Sequence, residues 1–168
     1  MGVAPLVLVP AEAGDAEEIA ALRTAVAERL TRDFGRGHWS VVATERGVLQ
    51  QLKTSVVLVA RAASGLVATL RLATRKPWAI DPSYFADAHR PLYLSDMAVF
   101  PDHQRSGIGR SCLAEATRIA KGWPADAIRL DAYDTPAGAG EFYAKCGYRE
   151  VGRVTYRKTP LIYFELKL

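Results

Sequence analysis

Cysteine is scarce: Cys112 and Cys146 are the only two among 168 residues. Neither belongs to a Cys-x-x-Cys pair or stands near clustered histidines, of which the chain has three in all, so no metal site is expected. A disulfide-free protein of the cytoplasm is the simplest expectation. Long hydrophobic runs are missing too. None approaches the ~20 residues of a membrane helix, so no membrane partner is expected. Met1-Gly2-Val3-Ala4-Pro5 has neither a charged n-region nor an apolar h-region, and no secretory signal is expected. There is no dense Lys/Arg stripe, and a net charge of +4 is too mild for nucleic acid, although it suits a small polyanionic ligand. Repeats, low-complexity tracts and linkers are absent. What is present is an ordinary globular balance, 49% hydrophobic and 24% charged, in a length that fits one domain over residues 1–168.

Along the chain, Leu6-Val7-Leu8-Val9 reads as a first strand. Asp15 with Glu18 reads as a capping box, and Ile19, Leu22, Val26 and Leu30 follow at helical spacing. Gly35-Arg36-Gly37 ends that helix, and a shorter one is expected over Glu45–Lys53. Ser55–Arg61 and Leu66–Thr74 flank the Ser64-Gly65 turn as a hairpin. Arg75–Arg90 is a long segment rich in Pro, Asp and aromatics, of a length that is often functional. Leu92–Phe100 is a strong strand and Gly107–Lys121 a helix. Ile128–Tyr133 is a strand, and Ala137–Cys146 is a helix stopped by Gly147. Val151–Tyr156 and Leu161–Leu168 close the chain around Thr159-Pro160. The order β-α-α-β-β-β-α-β-α-β-β mixes hairpins with crossovers and gives an α/β or α+β class around one mixed sheet.

The chemistry-bearing stretch runs from Leu94 to Arg110. It is a strand ended by Pro101, a short turn, a basic glycine loop Gln104-Arg105-Ser106-Gly107-Ile108-Gly109, and a helix start. A helix N-terminus offers unpaired N–H groups and partial positive charge. Glycines let a phosphate approach that backbone, and Arg105 and Arg110 add multidentate cations. The loop is therefore an anion cradle of pyrophosphate size. A Walker P-loop is excluded, because no Gly-x-x-x-x-Gly-Lys-Ser/Thr occurs. A dinucleotide fingerprint would need a third glycine where Cys112 stands and a tighter turn after the strand, although Asp131 lies at a suitable distance downstream.

These residues strongly resemble the GNAT superfamily of acyl-CoA-dependent N-acetyltransferases. Its Gln/Arg-x-x-Gly-x-Gly/Ala signature stands here as Gln104 to Gly109. Met97-Ala98-Val99-Phe100-Pro101 resembles its fourth-strand ending and Cys112 to Ala116 its following helix. Ile128 to Tyr133 resembles its fifth strand, and Phe142-Tyr143-Ala144-Lys145-Cys146-Gly147-Tyr148 its Tyr-x-x-x-Gly-Phe/Tyr segment. The likeness covers roughly the C-terminal half, while the N-terminal half agrees in element order. It implies a mixed, mostly antiparallel central sheet flanked by helices, with strands four and five splayed around the cofactor arm.

The resemblance further implies acetyl-CoA as cofactor. The backbones of Met97, Ala98 and Val99 would pair with its arm, the Val99 N–H polarising the thioester carbonyl. Gln104, Arg105, Ser106, Gly107, Ile108, Gly109 and Arg110 would hold the pyrophosphate. Tyr143, beside the cofactor, would protonate the leaving thiolate. Asp131 or Asp96 would serve as base. His103 reads as a surface residue, and a covalent cysteine is disfavoured. Pro136 stands where many relatives have an Asn that touches the cofactor arm, with Thr135-Pro136 reading as an N-cap and N1 pair. The acceptor implied is a primary amine of a small or amino-acid-like molecule, attacked directly in a ternary complex, and the protein a monomer or homodimer. Three readings of function remain open: the enzyme, a non-catalytic acyl-CoA-binding module of the same fold, and a nucleotide-dependent oxidoreductase. Arg75–Arg90, with Trp78, Tyr84 and Phe85, either walls the acceptor pocket or forms a satellite core or dimer contact, and His38-Trp39 is placed at the same rim.

Overall fold

A computed structural model describes residues 5–168. Seven strands form one sheet in the order β1-β2-β3-β4-β5-β7-β6. They are β1 (Val9–Pro10), β2 (Val56–Ala62), β3 (Gly65–Ala73), β4 (Pro91–Val99), β5 (Ala127–Tyr133), β6 (Arg149–Tyr156) and β7 (Thr159–Lys167). Only β4 and β5 run parallel; every other neighbouring pair is antiparallel. Helices α1 (Ala16–Phe34) and α2 (Glu45–Thr54) precede β2, α3 (Ile108–Gly122) joins β4 to β5, and α4 (Gly140–Lys145) follows β5. This is the expected α/β class and the expected element order. The mostly antiparallel sheet rules out the doubly wound dinucleotide fold.

Strand alternation divides the core between two faces. Leu58, Leu70, Leu72, Leu92, Leu94, Ile128 and Leu130 turn to α3 and meet Leu113, Ala116 and Ala120. Val57 and Val59 turn the other way and meet Ile19, Leu22 and Val48 of α1 and α2. The apolar stripe of α1 is thus buried at its N-terminal end, whereas Val26 and Leu30 are only half-buried.

Several sequence expectations shift. Leu6–Val9 is not a full strand: pairing is confined to Val9 and Pro10, followed by the Ala11 N–H on the Val57 carbonyl at 2.8 Å. A proline without an N–H belongs on such an edge. Asp15 does not cap α1 with Glu18. A preceding 3-10 turn already holds Asp15 in right-handed helical geometry (φ −88°, ψ −10°). Its carboxylate accepts from the Glu12 N–H at 2.8 Å and pairs with Arg61, while Glu18 accepts from the Leu66 N–H at 2.9 Å. Both acids staple α1 to the β2–β3 hairpin instead. The last hairpin turns at Arg157 and Lys158, both left-handed (φ 46° and 68°), and Thr159-Pro160 lies inside β7. Two positive φ values suit a two-residue hairpin, but the usual Asn-Gly signal is missing.

α4 begins at Gly140, not at Ala137, so Thr135-Pro136 does not cap it. The chain first makes a tight turn, closed by the Gly138 N–H on the Thr135 carbonyl at 2.8 Å. The turn folds so closely over the end of β5 that a Cβ on Gly138 would stand 1.8 Å from the Tyr133 carbonyl oxygen.

The Arg75–Arg90 segment forms a satellite core. Ile80 and Phe85 pack with Tyr93 and Tyr163. Beneath them lies a buried ion pair: Arg129 Nε donates to Glu165 Oε2 at 3.0 Å across the β5–β7 register. The same guanidinium donates to the Ala86 carbonyl at 2.7 Å and the Tyr93 hydroxyl at 3.3 Å, and lies 4.8 Å from the Phe85 ring centroid. Removing one member of such a pair leaves an uncompensated buried charge. Arg129→Met is expected to lower the unfolding free energy by about 3–5 kcal/mol in a denaturant titration, and Arg129→Met with Glu165→Leu to recover most of that loss.

Candidate active site

β4 and β5 pair over only Pro91–Tyr93 and Ala127–Arg129. Beyond that point β4 stays bonded to β3 and β5 stays bonded to β7. The two strands therefore part, and a cleft opens between them. A bulge bends β4 at this place: Ser95 faces Arg71, but Ala98 already faces Thr69, and Asp96 takes the left-handed φ of 52°. Past the bulge, the Phe100 N–H donates to the Val67 carbonyl at 2.8 Å. By antiparallel alternation Val99 turns its own N–H and carbonyl to the opposite side, into the gap. The Val99 carbonyl there receives the Gln104 side-chain amide at 2.9 Å.

At the mouth of the cleft stands the glycine loop. Arg105 (φ 59°) and Gly107 (φ 88°) are left-handed, and nothing lies within 4 Å of where a Gly107 Cβ would stand. Gly107 precedes α3 and provides no side-chain cap, and the first turn carries no acid. The first helix N–H groups therefore face open space. At Gly109 a Cβ would press on the Phe142 ring at 3.0 Å, so the glycine lets α3 and α4 approach. The resulting cleft of about 640 Å³ is lined by Met97, Ala98, Val99, Gln104, Arg105, Gly107, Gly109, Arg110 and Tyr143, with Phe142 and Ala137–Ala139 opposite. An uncapped helix start, open backbone and two arginines fit a pyrophosphate, and the splayed strand edges fit an extended arm. Acetyl-CoA has both parts. Ser106 and Ile108 stand apart from the cleft wall: the Ser106 hydroxyl bonds the His103 carbonyl, and Ile108 packs toward the α3-side core. His103 stays outside it, near Ser64 and Phe100.

Deeper in, Asp96, Asp131, Tyr133 and Tyr143 surround a chamber of about 350 Å³ that shares Met97 and Leu30 with the outer cleft. Burial, reinforced by the neighbouring Asp96 carboxylate, raises the Asp131 pKa above the ordinary carboxylate range. Burial and the Asp131 charge push the Tyr143 phenol well above its usual value, so it keeps its proton. Its hydroxyl meets the Met97 sulfur at 3.9 Å, its ring lies among Phe142, Tyr148 and Phe164, and only 8% of the residue is exposed. The Cys112 thiol is buried and pushed up to about 11, so it is a poor nucleophile near neutrality.

Residues 53–150 match the family model of the acetyltransferase (GNAT) domain. The chain belongs to the GNAT acetyltransferase family. It is an acetyl-CoA-dependent acyltransferase, and the open β4–β5 seam and uncapped glycine loop are the parts of the fold suited to that cofactor. No curated protein matches the chain in sequence. Among solved structures it is similar over its whole length to a GCN5-related N-acetyltransferase from Rhodopseudomonas palustris, with TM-score 0.71, 22% identity and 99% of that chain covered. A ribosomal-protein-alanine N-acetyltransferase from Brucella melitensis gives TM-score 0.73 at 17% identity, over 97% of this chain and 100% of that one. A Salmonella typhimurium protein solved with its cofactor acetyl-CoA gives 0.68 at 16%, over 98% and 94%. At these identities the likeness is one of fold.

The GNAT cleft also contains residues the sequence reading passed over. Arg23, Gln51 and Arg71 meet at Asp96: Arg71 Nη1 donates to Asp96 Oδ2 at 3.0 Å, and Gln51 bridges Arg23 to the same carboxylate. Arg23 had a visible signal, for it interrupts the apolar stripe of α1 between Leu22 and Val26. Trp39 does reach the rim, where its ring meets Tyr133 edge-on at 5.8 Å.

Asp131 carries a pH-dependent cost to folding. A carboxyl whose folded pKa is raised binds more protons folded than unfolded, so its contribution is most favourable below the ordinary carboxylate range and is lost as pH rises through the raised value. Asp131→Asn is therefore expected to melt above the wild type at pH 7, the difference disappearing at low pH, in paired thermal scans.

Proposed function

We propose that the protein transfers an acetyl group from acetyl-CoA to a primary amine of a small or amino-acid-like acceptor, by direct attack in a ternary complex. The observation that supports this best is one cleft holding a raised-pKa carboxylate, Asp131, and a proton-retaining phenol, Tyr143, beside the splayed edge of β4. Acetyl-CoA supplies the activated acyl group when bound. Gly107, Gly109, Arg105 and Arg110 hold its phosphates through backbone N–H groups and guanidinium donors. The β4 backbone from Met97 to Val99 would align the arm, and the Val99 N–H would stabilise negative charge building on the carbonyl oxygen.

Protonated amines do not attack: a lysine-type amine has a pKa of about 10.4. Asp131 takes that proton, directly or through a water, and its raised pKa makes it a better base than an ordinary carboxylate. Tyr143 offers its hydroxyl proton to the sulfur as the thiolate departs. Asp96 is committed to Arg71 and Gln51, so it serves better to position Arg71 than to take a proton. The free cysteines are not needed, because the acyl group passes straight to the acceptor.

Tyr143→Phe is expected to lower kcat by about 100-fold or more, the usual worth of a positioned proton donor, while acetyl-CoA still binds with wild-type affinity by calorimetry. A kcat within twofold of wild type would remove Tyr143 from the chemistry. With wild-type protein, thiol release should appear with at least one member of a broad amine panel. Tight acetyl-CoA binding without release from any amine would favour the binding-module reading. The acidic limb of the rate profile should depend on Asp131 and be lost in Asp131→Asn.

A further inference from the structure

Under helices α1 and α2 the cleft continues into a second chamber of about 350 Å³, walled by Arg23, Gln51, Asp96, Trp39 and Tyr133. Its wall carries one arginine, Arg23, and one carboxylate, Asp96, which Arg71 also engages from outside the wall. Arg23 is anchored at one nitrogen only: Nη1 donates to Gln51 Oε1 at 2.6 Å. Its Nε and Nη2 are shielded from solvent and have no hydrogen-bond partner among the described residues. Arg71 donates from Nη1 to Asp96 Oδ2 at 3.0 Å, and its Nε is likewise buried without a partner. Gln51 Nε2 reaches the same Asp96 oxygen at 3.4 Å. A single carboxylate thus serves two guanidinium groups. Asp131, across the gap on β5, forms no ion pair among the described residues.

A buried guanidinium without its counter-ion is costly. Burial and the neighbouring Arg71 charge lower the Arg23 pKa, and Asp96 offsets this only in part. The two unpaired nitrogens of Arg23 have a specific geometry. Nε and Nη2 form the side edge of the guanidinium fork, the edge that pairs with both oxygens of a carboxylate. Both nitrogens are closed to water as the side chain stands, so an anion in the chamber would reach that edge through a rotation of the Arg23 side chain.

We propose that this chamber is the acceptor's carboxylate subsite, Arg23 receiving the acidic group of an amino-acid-like substrate while its amine lies at Asp131. The chamber adjoins the one that holds Asp131, sharing Leu30, Asp96, Met97 and Tyr133 with it. The cleft is therefore polarised, with the Arg23 cation under α1 and the Asp131 carboxylate on β5, which matches a zwitterion. Val26, Leu30 and Trp39 give its hydrocarbon part an apolar wall. The assignment rests on the acetyl-transfer reading for the position of the amine.

The test uses CoA-loaded wild-type protein and calorimetry. Each common L-amino acid is titrated alongside its carboxamide, which keeps the side chain and amine but lacks the negative charge. At least one acid should bind about 10- to 100-fold more tightly than its amide. Arg23→Gln should bring that ratio close to one, and Arg23→Lys should retain part of it. Equal affinities, tighter amides, or no acid bound at millimolar concentration would overturn the subsite. The wild-type pairs decide this even if the Arg23 variants fail to fold. Failure of acetyl transfer shows separately, as no thiol release from any amine, and leaves the acid-to-amide comparison to judge the subsite by itself.

Discussion

The site depends on β4 and β5 parting after Tyr93 and Arg129. Two parallel neighbours would ordinarily continue their ladder, and each unpaired backbone group would cost free energy if buried dry. Here each strand keeps its outer partner, so the sheet survives while its centre opens. The bulge at Asp96 bends β4 outward, and the tight turn at Gly138 caps the end of β5 and lines the opposite wall. The strand edges are thereby left free to pair with an extended ligand.

The same opening brings unlike side chains into one low-dielectric space. Asp131 and Tyr143 are pushed upward mainly by burial and further by the carboxylates beside them. The Asp131 shift makes its carboxylate a stronger base than a free one, and the Tyr143 shift keeps the phenol protonated across the neutral range while making it a weaker acid than a free phenol. The energy comes from elsewhere in the fold. The packed leucines under α3, the paired strands and the buried Arg129–Glu165 bridge make up the rigid frame, while the cleft carries unpaired arginine nitrogens and a raised carboxyl.

Arg129 and Arg23 show how differently one residue type can be used. Arg129 has its acid, a hydroxyl, a carbonyl and an aromatic face, and it ties the Pro82–Phe85 segment to the sheet. Arg23 has one glutamine oxygen and a view of a cavity. The first is complete as structure, and the second awaits a partner of opposite charge.

Much of this was legible in the chain itself. Period-2 and period-3.6 patterns set the element order, and the run from Met97 to Gly109 announced an anion cradle after a strand, because those signals are local in sequence. Local signals misplaced the boundaries where backbone geometry rather than residue type decides them: the first strand, the turn at Arg157-Lys158, the start of α4 at Gly140. The acceptor side was not legible. Arg23 and Gln51 come from two helices, and Arg71, Asp96 and Asp131 from three strands, so no spacing links them. Sequence alone determined which elements form and what the loop can hold. Only the tertiary structure decided where charge is left unpaired, because a counter-ion is lost or gained through contacts between residues far apart in the chain.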